Sequence, residues 1–150
     1  MTNSEDVFNF HQKFRVPMAP SPCLLDADAQ QFRVNFLKEE LQEFEDSYAA
    51  LDTAGCGDAL IDLVYIAMGT AHMMGLPWQA MWDRVQQANM TKRLAKPDGS
   101  DSKRGNPLDV VKPEGWVPPQ FQDLISHTPQ MFDATLAVKL MAAERKRNEN

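Results

Sequence analysis

The sequence predicts an all-α fold. Apolar residues recur three and four apart over several long stretches, and no convincing alternating strand pattern interrupts them. The breaks between these stretches hold the residues that begin and end helices. The arrangement expected is a helical core over residues 1–93, a proline-rich arm over 94–129 and a C-terminal helix over 130–150 that belongs to the core's domain.

Ser4, Glu5 and Asp6 open a short helix carrying Val7, Phe8, Phe10, His11 and Phe14. Arg15 to Leu25 contains Pro17, Pro20 and Pro22 and reads as a loop. Asp26 or Asp28 caps a second helix running to about Ala50, with Phe32, Phe36 or Leu37, Leu41, Phe44 and Tyr48 at helical spacing. Asp52-Thr53-Ala54-Gly55 is a break. A third helix runs from about Gly57 to Met74, with Gly75 as its C-terminal cap. Pro77 suits the first turn of a fourth, which carries Trp78, Met81, Trp82 and Val85 and ends near Lys92. Six of the ten prolines then fall between Pro97 and Pro129, so this stretch is expected to hold little regular structure. From Met131 to about Lys146, Phe132, Leu136 and Leu140 mark the last helix.

At 150 residues, 43% of them apolar and 24% charged, the chain suits one globular domain. A net charge of −6 opposes a broad basic surface for nucleic acid, but not a nucleotide ligand bridged by a metal ion. Cys23 and Cys56 form neither a metal-type spacing nor a disulfide framework, which fits a reducing cytoplasm. The polar, acidic N-terminus is unlike a signal peptide, and no apolar run is expected to approach membrane-spanning length.

Carboxylates are the candidates for chemistry. Glu39 and Glu43 are four apart, Glu40 and Glu43 three apart, and Asp58 and Asp62 four apart, so each pair shares a helix face. Leu41 and Phe44 put the glutamates at the edge of a buried stripe, where unpaired carboxylates are costly and a cation relieves them. An all-oxygen set suits Mg²⁺, which commonly shares its shell with substrate phosphates. No Glu-x-x-His pair favours a di-iron site. The residues alone leave two alternatives open: solvated helix faces, or a metal site for attack of water on a phosphate.

The order Glu39-Glu40-x-x-Glu43, then Asp62-Leu63-Val64-Tyr65, then Ala88-Asn89-Met90-Thr91-Lys92 resembles the all-α nucleoside triphosphate pyrophosphohydrolases. These include the MazG-like proteins, the dimeric dUTPases and phosphoribosyl-ATP pyrophosphohydrolase. The resemblance covers Phe8 to Lys92, and Val111 to Pro119 is similar to the tail of small phage and bacterial MazG-like members. It implies a MazG-like four-helix core and hydrolysis between the α- and β-phosphates of a (d)NTP. It also implies Mg²⁺, sometimes Mn²⁺, and a homodimer or homotetramer in a bacterial cytoplasm, or a host's if phage-encoded. By position, Glu40 and Glu43 resemble metal ligands, Glu39 the residue that orients or activates water, and Asp62 the aspartate of the second motif. The glutamate that the family usually has three residues before that aspartate is Ala59 here. Asp58 is then the substitute, directly or through water. Asn89 and Lys92 would contact phosphates, unless they only finish a helix end.

Several other residues stand out. His11 stacks on or hydrogen-bonds a base, or sits on the helix surface. Tyr65 supports a ligand carboxylate or packs in the core. His72 is a half-buried polar residue. Trp78 and Trp82 belong to core or subunit interface, or form a base-stacking platform. Trp116 buries against its own subunit or a neighbour, or covers the nucleotide. Arg145-Lys146-Arg147 forms a solvated helix end. Two rival functions are phosphoribosyl-ATP hydrolysis, which the long segment after Lys92 disfavours, and a non-catalytic interaction or nucleotide-sensing module in which Ala59 marks decay of the metal site.

Overall fold

A computed structural model describes residues 2–125, 131–134 and 137–139. Its contacts divide the chain into two compact units. One holds the described residues up to Trp78 and those from Ile125 onward; the other is Gln79–Leu124.

The first unit begins with α1, Asn3–Phe14. Its cap is Thr2, not the expected Ser4. Thr2 and Glu5 form a reciprocal capping box that satisfies two otherwise orphaned backbone donors. Arg15 ends the helix in a left-handed conformation. The proline-bearing loop after it is tied to the far end of α3, Thr53–Met73, by Ala19 N donating to Met73 O and Cys23 N to Met74 O, each at 3.0 Å. The loop leads into β1, Leu24–Leu25, which pairs in parallel with β4, Met131–Phe132. Met131 therefore starts a strand where a helix is expected. Helical backbone appears at residue 134 and at residues 137–139, while Leu136, Leu140 and the Arg145-Lys146-Arg147 cluster lie outside the described residues.

Asp26 caps α2, Ala27–Ala49, as expected. One carboxylate oxygen accepts from Ala29 N at 2.9 Å and the other from Ala134 N at 2.7 Å. The turn out of α2 puts Leu51 at φ 58, and Asp52 then caps α3 by accepting from Ala54 N and Gly55 N. The third helix thus starts four residues before Gly57, because Asp52 supplies a cap strong enough to carry two glycines in the first turns. Gly75, at φ +63, follows it; a Cβ there would stand 2.6 Å from Ser21 O, so only glycine fits.

The helices α2 and α3 form an antiparallel hairpin. Arg33 near one end of α2 bonds Ile66 and Thr70, while Phe44 near the other accepts from Cys56. The helix α1 also packs on α3, burying Val7 and His11. Leu25, Ala29, Met73 and Ala134 cluster beneath, with Val16, Met74 and Phe132 against them. By length and composition α3 is apolar enough to cross a membrane, which corrects the expectation that no run is. Here it buries Ala59, Met68, Gly69, Ala71 and Met73.

The second unit contains nearly all of α4, Trp78–Met90, preceded by Pro77. In the proline-rich stretch up to residue 125, Leu94 and Val110–Val111 are the described residues in strands. An antiparallel pair joins β2, Arg93–Leu94, to β3, Val110–Val111. The loop between them is pinned by two aspartates: Asp101 pairs with Arg93 at 2.7 Å and accepts from Lys96 N at 2.8 Å. Asp109 accepts from Ser102 Oγ at 2.8 Å and pairs with Arg104 at 3.0 Å. Trp116 packs within this unit. Its indole N–H donates to Ala88 O at 2.9 Å, so it buries against its own subunit.

Candidate active site

The hairpin positions the acidic residues. Glu40 lies on the face of α2 turned toward α3, half-buried, while Glu39, Glu43 and Asp58 are exposed and Asp62 is half-buried. The Oε2 atom of Glu40 is buried and has no hydrogen-bond partner. Burial raises the Glu40 pKa first, and the negative charges of Glu43, Asp62, Glu39 and Asp58 raise it further. The five carboxylates therefore share one electrostatic neighbourhood, and no cation pairs with any of them among the described residues. No three acidic, histidine or cysteine side chains there close into a metal-ligand cluster as they stand.

Position 59 explains the departure in the second motif. Ala59 is 2% exposed and belongs to the core of the hairpin. Asp58, one residue earlier, is exposed and close enough to raise the Glu40 pKa. A carboxylate at 58 can serve this neighbourhood without being forced into the packed interior.

The remaining candidates fall elsewhere. Tyr65 meets the ring of Phe10 edge-on at 5.5 Å and bonds no carboxylate among the described residues. His11 is 3% exposed, which corrects the expectation of a surface histidine. Gly69 on α3 has no side chain to keep the imidazole out, so the ring sinks between α1 and α3. Burial, with nearby Arg33 and His72, lowers the His11 pKa to about 4, so it is neutral at pH 7. His72 lies beside it, half-buried, with Nε2 3.0 Å from Ser4 O. In the second unit Asn89 is exposed, and the Lys92 and Lys112 ammonium groups lie 5.6 Å and 4.5 Å from the Trp116 ring centre.

Arg33 is the residue that sequence reasoning missed. It lies two helical turns before Glu40 on α2, with Phe36 between them, a spacing that marks one face. Its Nε donates to Thr70 Oγ1 at 2.9 Å and its Nη2 to Ile66 O at 2.8 Å. The sequence signal was present in that spacing, but a lone arginine on a helix is most often a solvated cation.

Residues 7–89, more than half of the chain, match the family model described as phosphoribosyl-ATP pyrophosphohydrolase. The chain belongs to that family. The family is part of the MazG-like all-α pyrophosphohydrolase superfamily, so this chain is an all-α pyrophosphohydrolase, as the order of its acidic motifs implies. The matched span of this pyrophosphohydrolase includes Glu39, Glu40, Glu43, Asp58, Asp62 and Asn89; Lys92 and the proline-rich stretch lie beyond it. No curated protein matches the chain.

Proposed function

We propose that this pyrophosphohydrolase cleaves (d)NTPs between the α- and β-phosphates, releasing a nucleoside monophosphate and pyrophosphate, with Mg²⁺ or Mn²⁺ at the carboxylate cluster. One observation carries the reading: the orphaned, buried Oε2 of Glu40 among four further carboxylates. A buried anion opposed by its neighbours is costly in isolation and suits a site that takes a dication. The donor set fits, since all its atoms are carboxylate oxygens.

Glu40, Glu43 and Asp62 would hold the ion, with Asp58 acting directly or through water. Bound there, it supplies positive charge against the phosphates and makes water more acidic. Glu39, exposed beside Glu40, orients the attacking water and takes its proton. The exposed apolar residues Leu60, Ile61 and Val64 on α3, with Leu41 and Tyr48 on α2, support a homodimer or homotetramer that covers them.

Phosphoribosyl-ATP is a second substrate reading, favoured by the family description itself. Product analysis separates the two: the purified chain is incubated with Mg²⁺ and each NTP, each dNTP and phosphoribosyl-ATP. Monophosphate with pyrophosphate from (d)NTPs supports the first reading. Turnover of phosphoribosyl-ATP alone supports the second, and release of inorganic phosphate alone contradicts both.

A further inference from the structure

A cavity of about 600 Å³ opens in the first unit. Phe10, Phe14, Phe32, Phe36, His11 and Arg33 line it. Phe10, Phe14 and Phe32 are 42%, 57% and 55% exposed, an unusual concentration of open aromatic surface. Arg33 is half-buried among them and has no carboxylate partner among the described residues. Two of its nitrogens are anchored on α3, which fixes the guanidinium plane and leaves Nη1 unused. Burial lowers its pKa. His11 adds a second polar atom without a partner, a buried Nδ1. Arg15 and Asp28 also line the cavity and bring one charge of each sign.

A desolvated, preoriented cation in an aromatic cavity lacks its counter-ion. We propose that this cavity binds a small aromatic anion, its ring among the four phenylalanines and its phosphate or carboxylate on Nη1 of Arg33. Aromatic rings stack on such walls, and a fixed guanidinium binds oxyanions more strongly than a neutral donor does. The anion has two available sources. It is the end of the substrate remote from the scissile anhydride, since Arg33 lies two helical turns from Glu40 on one hairpin, or it is a separate ligand.

The test uses the full chain in EDTA, which keeps any dication away from the carboxylate cluster. Adenosine 5′-monophosphate and adenosine are titrated separately by calorimetry, and the Arg33 Nε–Hε resonance is followed by NMR. The monophosphate is expected to bind about tenfold tighter than adenosine and alone to move that resonance. Arg33→Met abolishes the difference and Arg33→Lys restores part of it. Glu40→Gln, which removes the proposed metal site, leaves the difference intact, so failure here is separable from failure of the hydrolase reading. If Arg33→Lys raises KM for phosphoribosyl-ATP, which carries a phosphate on its ribosyl end, but not for ATP, the anion is the substrate's own. If it raises neither while monophosphate binding weakens, the ligand is separate. Equal binding of the two probes overturns the proposal. So does a silent Arg33 resonance, or no binding of either probe, as when a second copy covers the phenylalanines.

Discussion

The imidazole of His11 rests on Gly69: a Cβ at that position would stand 2.7 Å from Nε2 of His11 and 3.2 Å from Nη2 of Arg33. The glycine lets α1 and α2 side chains meet over one point of α3. Replacing a helical glycine with alanine ordinarily gains about 1 kcal/mol. Here overpacking costs about 1–3 kcal/mol and displaces the His11 ring and the anchored Arg33 side chain. Gly69→Ala should therefore lower Tm by about 2–4 °C. A variant as stable as the parent would show that His11 and Arg33 yield freely.

Asp26 joins two distant parts of the first unit by capping α2 with one oxygen and holding Ala134 N with the other. Asp26→Ala removes both interactions. The expected loss is about 2–3 kcal/mol, the sum of a cap and a charge-assisted hydrogen bond. It is read from the urea midpoint at constant slope. Asp26→Asn, which keeps a cap acceptor, should lose less.

His11 makes stability depend on pH. Its folded pKa, about 4, lies below the unfolded value near 6.5. The unfolded chain therefore binds the proton first as pH falls. Stability contributed by the neutral ring is complete above about pH 6.5 and is lost progressively toward pH 4. Tm measured from pH 7.5 to 4.5 should fall in wild type and fall less steeply in His11→Gln.

Position 59 should reject the carboxylate that the family usually carries there. Ala59→Glu would bury a charge at a site only 2% exposed and cost about 1–3 kcal/mol of stability. Asp58→Ala should leave stability nearly unchanged and weaken Mg²⁺ binding by calorimetry less than Asp62→Ala does. Equal losses from both would make Asp58 a full equivalent of Asp62.

Much of this was legible in the sequence where local chemistry decides. Asp26 sits directly before a long helical pattern and caps it as expected. Glu39, Glu40 and Glu43 fall at the edge of an apolar stripe, so their shared face could be read from spacing. Non-local pairing was not legible. Leu24–Leu25 and Met131–Phe132 are too short to show alternation, and only tertiary contact makes them strands. His11 looked like a surface residue because nothing in α1 announces a glycine facing it from α3. Arg33 was passed over because its neighbours along the chain do not reveal that Thr70 and Ile66 fix it beside a cavity.

Thermal unfolding of wild type and Glu40→Gln, each with and without Mg²⁺, tests most directly whether Glu40 holds a cation. Without Mg²⁺ the variant should be at least as stable as wild type, because it replaces a charge that burial and four carboxylates oppose. With Mg²⁺ wild type should rise in Tm by mass action while the variant gains little. An equal Mg²⁺-induced rise in both proteins would contradict the assignment.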